Sequence, residues 1–207
     1  MELTAPPSPS PSLSLCLFLG LLAAVGAGRL IEMRLSRRHQ RALGERGVAI
    51  EREPVFGLMV ALHTGVLVAA ALEVIALGRP FIPVLGVTAL VLLVLANLLR
   101  WWVIAALGPQ WNVRVMGSSP TAGVVTRGPF RYVRHPNYVA VFVELAALPL
   151  VHTAWITALG GSLLHVWILR RRIALEERVL FADARYRELM GGKPRFVPLP
   201  WPPSRTS

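Results

Sequence analysis

The residues best suited to chemistry lie in Gly128-Pro129-Phe130-Arg131-Tyr132-Val133-Arg134-His135-Pro136-Asn137-Tyr138, directly ahead of a long apolar run. Arg131 and Arg134 can orient an anion, His135 can carry or accept a proton near neutral pH, and Tyr132 and Tyr138 offer phenols. Pro136 biases His135 away from helical backbone, and Asn137 can cap a helix beginning near Tyr138. His135 is therefore expected at a helix mouth, where free N–H groups and a partial positive charge suit a carboxylate. The competing reading makes the arginines lipid-headgroup anchors and His135 a solvated loop residue.

A second cluster follows in Arg170-Arg171-Arg172-Ile173-Ala174-Leu175-Glu176-Glu177-Arg178. On an unbroken helix, a step of about 100° per residue puts His165, Arg172 and Glu176 within roughly 40° of one another. Arg172 before Glu176 is the weaker i,i+4 orientation. Helix support is thus a poorer account of the pair than a binding wall, although a snorkelling stop-transfer cluster is the alternative. Beyond it, Phe181 to Leu189 reads as an amphipathic helix stopped by Gly191-Gly192. Pro194-Arg195-Phe196-Val197-Pro198 then forms a tail that either closes over the site as a lid or anchors at the interface.

The elements that must position these groups are membrane helices. With 54% hydrophobic and 16% charged residues and a mean hydropathy of +0.55, the chain is too apolar for an ordinary soluble domain. Its net charge of +11 comes from arginines in loops between apolar runs, with no dense basic tract, which excludes nucleic acid as a partner. The single cysteine, Cys16, rules out an intrachain disulfide and a cysteine metal cluster. No metal site is expected, and the nucleotide-loop, zinc-protease and serine-hydrolase motifs are missing.

Crossing a bilayer takes about 20 apolar residues. Leu13 to Leu30, Gly57 to Leu77 and Pro83 to Ala106 satisfy this, while Tyr138 to Val151 and Thr153 to Leu169 are shorter and form a tight hairpin, for about five spans in all. The expected fold class is an all-α integral membrane protein whose C-terminal hairpin and cytosolic tail form the cofactor site. The domain reading is a disordered Pro/Ser-rich segment 1–12, three spans over 13–106 with a basic loop 31–56, and a catalytic core over 107–207. Arg34, Arg37, Arg38, Arg41, Arg46 and Arg52 share one side with Arg114, Arg127, Arg131 and Arg134 and with the C-terminal arginines, whereas the opposite side has Arg79. The positive-inside rule makes the protein multi-pass, with the N-terminus outside and the active site and C-terminus cytoplasmic. His63, Glu73 and Asn97 fall inside spans, where polar groups are costly and often functional. Glu73 and Asn97, near predicted helix ends, either bond a neighbour or line a substrate cavity. The long connection from Leu107 to Pro136 is too rich in Trp, Val and Phe to be disordered and should fold against the membrane face.

The stretch from Gly128 to Tyr138, with Glu144, Arg172-Ile173-x-x-Glu176-Glu177, Tyr186 and Pro194-Arg195-Phe196-Val197-Pro198, resembles the isoprenylcysteine carboxyl methyltransferase family and its bacterial members. The resemblance covers about the last hundred residues. It implies a membrane O-methyltransferase using S-adenosylmethionine. The cofactor would be bordered by His135, Pro136, Tyr138, Glu144, Arg172, Glu176 and Glu177, with Arg131, Arg134 and His135 as catalytic candidates. Ala140 stands where many members place Gly, which weakens the inference to prenylated protein substrates and leaves a lipophilic small molecule as an equal candidate. Membrane lipids are the other expected partners. In-line methyl transfer needs alignment of an acceptor oxygen and exclusion of water, with proton removal if the acceptor is a phenol or enol. A nicotinamide-dependent membrane reductase sharing the Arg-His-Pro core, and a non-catalytic scaffold, are the rival readings.

Overall fold

The computed structural model of the chain describes residues 12–45, 47–48, 51–116 and 123–198. Among these the regular structure is helical: α1 Leu13–Gly44, α2 Phe56–Ala76, α3 Pro83–Leu107, α4 Pro136–Leu150, α5 Trp155–Leu180 and α6 Ala184–Met190. Single 3₁₀ turns cover Gly108–Gln110 and Gly128–Arg131. The segment 1–12, expected to be disordered, lies outside the described residues except for Ser12, whose hydroxyl caps α1 by accepting the Leu15 N–H at 3.4 Å.

Helices α1, α2 and α3 are long and apolar enough to cross a membrane. Helix α4, at 15 residues, is about 22 Å long against a hydrocarbon thickness of about 30 Å. Helix α5 has 26 residues, but Arg170, Arg171 and Arg172 interrupt its apolar character. The expected basic loop 31–56 is largely helix instead, because α1 continues for 32 residues and carries Arg34, Arg37, Arg38 and Arg41 out on its extension. No Gly or Pro interrupts Leu30 to Leu43, and Arg, Leu, Gln and Glu are good helix formers.

Small residues set the spacing of the bundle, as expected where lipid supplies no hydrophobic drive between helices. Ala70, Ala89 and Ala147 are buried with Phe18, Leu22, Leu93 and Leu148 where α1, α2, α3 and α4 meet. At Gly161 of α5 a Cβ would stand 2.8 Å from Val66 Cγ2, so α5 lies against α2 more closely than alanine permits. The hairpin turn after α4 is as tight as expected, with Thr153 at a φ of 57° and its hydroxyl bonded to Pro80 O at 2.5 Å. Glu73 does not line a substrate cavity. Its carboxylate accepts the Ile156 N–H at 3.2 Å and the Thr157 N–H and hydroxyl at 2.7 Å each, and so caps α5. These donors are the ones a helix start leaves unpaired.

Candidate active site

The extension of α1 explains why the connection after α3 is ordered. Ser36 accepts the Val113 N–H at 3.0 Å and donates to Asn112 Oδ1 at 3.0 Å, Gln40 donates to the same oxygen at 2.9 Å, and His39 bonds Trp111 O at 2.8 Å. Trp111 and Val115 are buried, as the apolar content of this connection requires. Residues 117–122 of it lie outside the described set.

Facing this loop, Pro136 opens α4 and is fully buried, while His135 precedes it on non-helical backbone at φ −124°, ψ 56°. The helix begins two residues earlier than expected. Asn137 therefore lies in the first turn and supplies no cap, and no other side chain caps α4. Proline fits the first helical position because its missing N–H would have no partner there.

Arg172 of α5 is the anchor of the site. Its Nε donates to the Tyr138 hydroxyl at 2.9 Å, its Nη1 to Glu53 Oε1 at 2.7 Å and its Nη2 to Val113 O at 2.5 Å. One guanidinium thus ties α4, α5, the strand-free segment before α2 and the loop after α3 together. The Tyr138 hydroxyl in turn donates to Glu176 Oε2, so Arg172 and Glu176 communicate through Tyr138. Burial pushes the Glu53 carboxyl above its ordinary pKa, with the charge of Arg172 opposing. His165, expected on the same stripe, sits deeper on α5 with its ring 5.8 Å from that of His63 and does not reach this site.

Glu177 gathers the opposite side. It takes Arg195 Nε at 2.9 Å and Nη2 at 2.5 Å, His135 Nε2 at 3.2 Å, and lies 3.4 Å from Arg134 Nη2. Burial alone would raise its carboxyl; the Arg195 and His135 hydrogen bonds and the Arg134 charge outweigh it and hold the carboxyl below the usual range. The tail is a strap over the Arg-His-Pro segment: Arg134 and His135 donate their N–H groups to Pro194 O and Arg195 O, each at 2.9 Å, and Phe196 lies 6.3 Å from the His135 ring.

These residues enclose a cavity of about 220 Å³ walled by Arg134, His135, Pro136, Asn137, Tyr138, Arg172 and Glu176, with Asp183, Tyr186 and Met190 from the tail side and Val103, Trp111 and Val115 as apolar surface. Arg134 Nε and Asn137 Oδ1 are buried here without hydrogen-bond partners. An orphaned cationic donor and an orphaned acceptor suit a ligand with both a carboxylate and an amine. Glu176 and Asp183 add acceptors for hydroxyls, and the Trp111, Val103 and Val115 surface suits a flat ring. Burial pushes the Tyr186 phenol up to about 12, with Glu176 adding to the effect, so it stays a neutral hydrogen-bonding group.

Three expected site residues do not line the cavity, and one of them, Glu177, stands behind its wall holding His135, Arg134 and Arg195. Arg131 is exposed, 6.0 Å from the Tyr132 ring, and does not line the cavity. Glu144 faces away from it and pairs with Arg29 of α1 at a separate cavity. Sequence reasoning missed Glu53, one of two acids flanking Arg52, and missed Arg29 and Arg100, which fall inside predicted spans and demand partners there. Among the described residues no group of His, Cys, Asp and Glu could hold a metal ion.

The family model described as isoprenylcysteine carboxyl methyltransferase matches residues 89–182. An uncharacterized protein YpbQ of Bacillus subtilis is 27% identical over 165 residues, covering 79% of this chain and 96% of that protein. An uncharacterized protein of Haemophilus influenzae is 30% identical over 166 residues, covering 79% of this chain and 95% of its own length. The match to the family model runs from the first third of α3 through the Arg-His-Pro segment to just beyond α5, which is the stretch that builds most of the cavity. This chain belongs to the isoprenylcysteine carboxyl methyltransferase family, a family of membrane methyltransferases, and is a member of its bacterial type.

Proposed function

We propose that the chain transfers a methyl group from S-adenosylmethionine to an oxygen of a lipophilic acceptor at the cytoplasmic face of a membrane. One observation carries the reading: the two polar segments meet on the wall of a single cavity, leaving Arg134 Nε and Asn137 Oδ1 buried and unpartnered. The donor set fits the cofactor's polar end, with Arg134 for its carboxylate, Asn137 for its ammonium and Glu176 or Asp183 for its ribose hydroxyls. When bound, S-adenosylmethionine supplies an activated methyl group that needs no metal and no covalent enzyme intermediate.

The protein's part is orientation and exclusion of water. Arg172 fixes Tyr138 and, through it, Glu176, so the wall on that side is rigid before any ligand arrives. The strap formed by Pro194 to Phe196 covers Arg134 and His135 and shields the mouth from solvent. His135, hydrogen-bonded through Nε2 to Glu177, is the group placed to hold a proton at the cavity wall if the acceptor is a phenol or enol. The long basic extension of α1, the basic connections and the tail favour the cytoplasmic side for this end of the bundle, and five crossings, with α4 and α5 as a paired hairpin, satisfy that orientation.

Membranes containing the chain, incubated with methyl-labelled S-adenosylmethionine and with lipid phenols, enols and prenylcysteine as separate acceptors, should yield one labelled lipid product identified by mass. Binding of a nicotinamide cofactor in place of S-adenosylmethionine would favour the reductase reading, and binding of neither would favour a scaffold.

A further inference from the structure

A second cavity, of about 340 Å³, opens between α1 and α3, away from the Arg-His-Pro segment. Its walls are mostly apolar, and its rim on α3 is exposed on the bundle's outer surface at Leu90, Val94, Leu98 and Trp101. Its size falls in the range of small-molecule sites. At its inner wall stands a charge cluster buried within the bundle. Arg29 pairs with Glu144 and, at 2.7 Å, with Glu32, and Arg100 grips Glu32 through Nε at 2.6 Å and through Nη2. Arg29 and Arg100 balance Glu32 and Glu144, so the cluster is neutral as a whole.

Its hydrogen bonding is incomplete. Glu144, which lines the cavity and is only 5% exposed, has Oε2 buried without a partner. Arg100, equally buried, leaves Nη1 without one but stands behind Glu32 and does not line the cavity. Unsatisfied polar atoms among paired charges at membrane depth are costly. A neutral cluster that turns one spare acceptor, Glu144 Oε2, to the cavity matches a group that donates a hydrogen bond, whereas a second charge would leave the cluster unbalanced. Asn97, on the cavity wall, adds amide capacity because only its Nδ2 is committed, to Leu93 O at 3.0 Å.

We propose that the gap between α1 and α3 is a second ligand site, entered from the bilayer, for an uncharged amphiphile that places a hydroxyl head against Glu144 and its apolar body along Leu21, Val25, Leu90 and Val94. The site stands independently of the methyl-transfer reading, since none of its residues lines the S-adenosylmethionine cavity. Gly28 offers a means to close it, because a Cβ there meets nothing within 4 Å and a large side chain can extend into the space.

The test uses the full chain in lipid nanodiscs with photoactivatable long-chain probes that share one tail and differ in head: an alcohol, a phenol, a carboxylate and an amine. The alcohol or the phenol should label α1 or α3 around the cavity at least about tenfold more than either charged probe, a ratio equivalent to one decade of affinity. Gly28→Phe should abolish that labelling and leave the thermal unfolding midpoint unchanged, which reports that the variant is folded. Glu144→Gln releases the Arg29 charge and should shift preference toward the carboxylate probe. Labelling that ignores head-group charge, or that persists in Gly28→Phe, overturns the proposal. Alcohol and phenol labelling compared with each other tells an aliphatic from an aromatic ligand.

Discussion

Two buried arginine clusters hold this bundle together, and they differ in what their partners leave over. Around Arg172 the acceptors come from distant segments, Glu53, Tyr138 and Val113, and the result is a brace that fixes one wall of a cavity facing the loop and tail. Around Arg29 and Arg100 the acceptors come from the helices themselves, Glu32 and Glu144, and the result is a balanced set of charges beside a cavity facing the bilayer. The first arrangement presents separated donors and acceptors suited to a zwitterionic cofactor. The second, on the proposal above, takes an uncharged partner. Each cluster thus stands beside a cavity, and the unpartnered atoms differ: Arg134 Nε and Asn137 Oδ1 at the first, Glu144 Oε2 at the second.

The contrast breaks most visibly at Arg172. Arg172→Met leaves Glu53 buried without its cation and frees Tyr138, and removing one partner of a buried pair costs about 3–5 kcal/mol; thermal unfolding in detergent should fall sharply and S-adenosylmethionine binding should disappear. Arg172→Lys should not restore binding, since an ammonium cannot reach Glu53, Tyr138 and Val113 O from one position. Arg29→Met likewise strips a buried carboxylate, Glu144, of its cation and should cost a similar amount, about 3–5 kcal/mol. It should leave cofactor affinity unchanged. Because the two clusters share no partner, the double variant should be additive within about 0.5 kcal/mol. A large coupling energy would show that they act as one unit.

Smaller effects sharpen the role of the strap. Arg195 is half-exposed, so Arg195→Ala should cost no more than about 1 kcal/mol in overall stability while raising hydrogen exchange at Arg134 and His135, whose N–H groups bond the tail. The Glu177 carboxyl is held below its ordinary value in the folded protein. Its contribution to tail docking should therefore be complete above the unfolded carboxylate pKa of about 4.3 and be lost as pH falls through the lowered folded value. Protease cleavage of the tail, followed from neutral to acid pH, checks this. Protection that instead weakened on going from pH 5 to 8 would contradict the assignment to Glu177.

Much of the fold was legible because hydropathy and helix breakers act locally. Helices α2 and α3 begin and end within one residue of their apolar runs, α1 begins with its run, and the Val151-His152-Thr153 turn falls where the last two runs part. The extension of α1 was not legible, since a basic helical stretch and a basic loop have the same composition; the choice is made by contacts to Asn112 and Val113 far along the chain. Within the site, His135, Pro136, Tyr138, Arg172 and Glu176 could be grouped from sequence because each lies on a helix end or a helical stripe. Glu53 could not, because its role depends on reaching Arg172 across 119 positions. Arg131 and Arg134 are indistinguishable as residue types, and the backbone decides between them: Arg134 is tied to Pro194 and turned to the cavity, and Arg131 is left outside.

That difference gives the most direct test of the central claim. Equilibrium binding of S-adenosylmethionine to the purified protein should be weakened by Arg134→Met about tenfold or more, as expected for loss of a charged hydrogen bond, and should be unchanged in Arg131→Met. Binding that survives Arg134→Met and is lost in Arg131→Met, or no binding to the unaltered protein, would contradict the placement of the methyl donor between the Arg-His-Pro segment and α5.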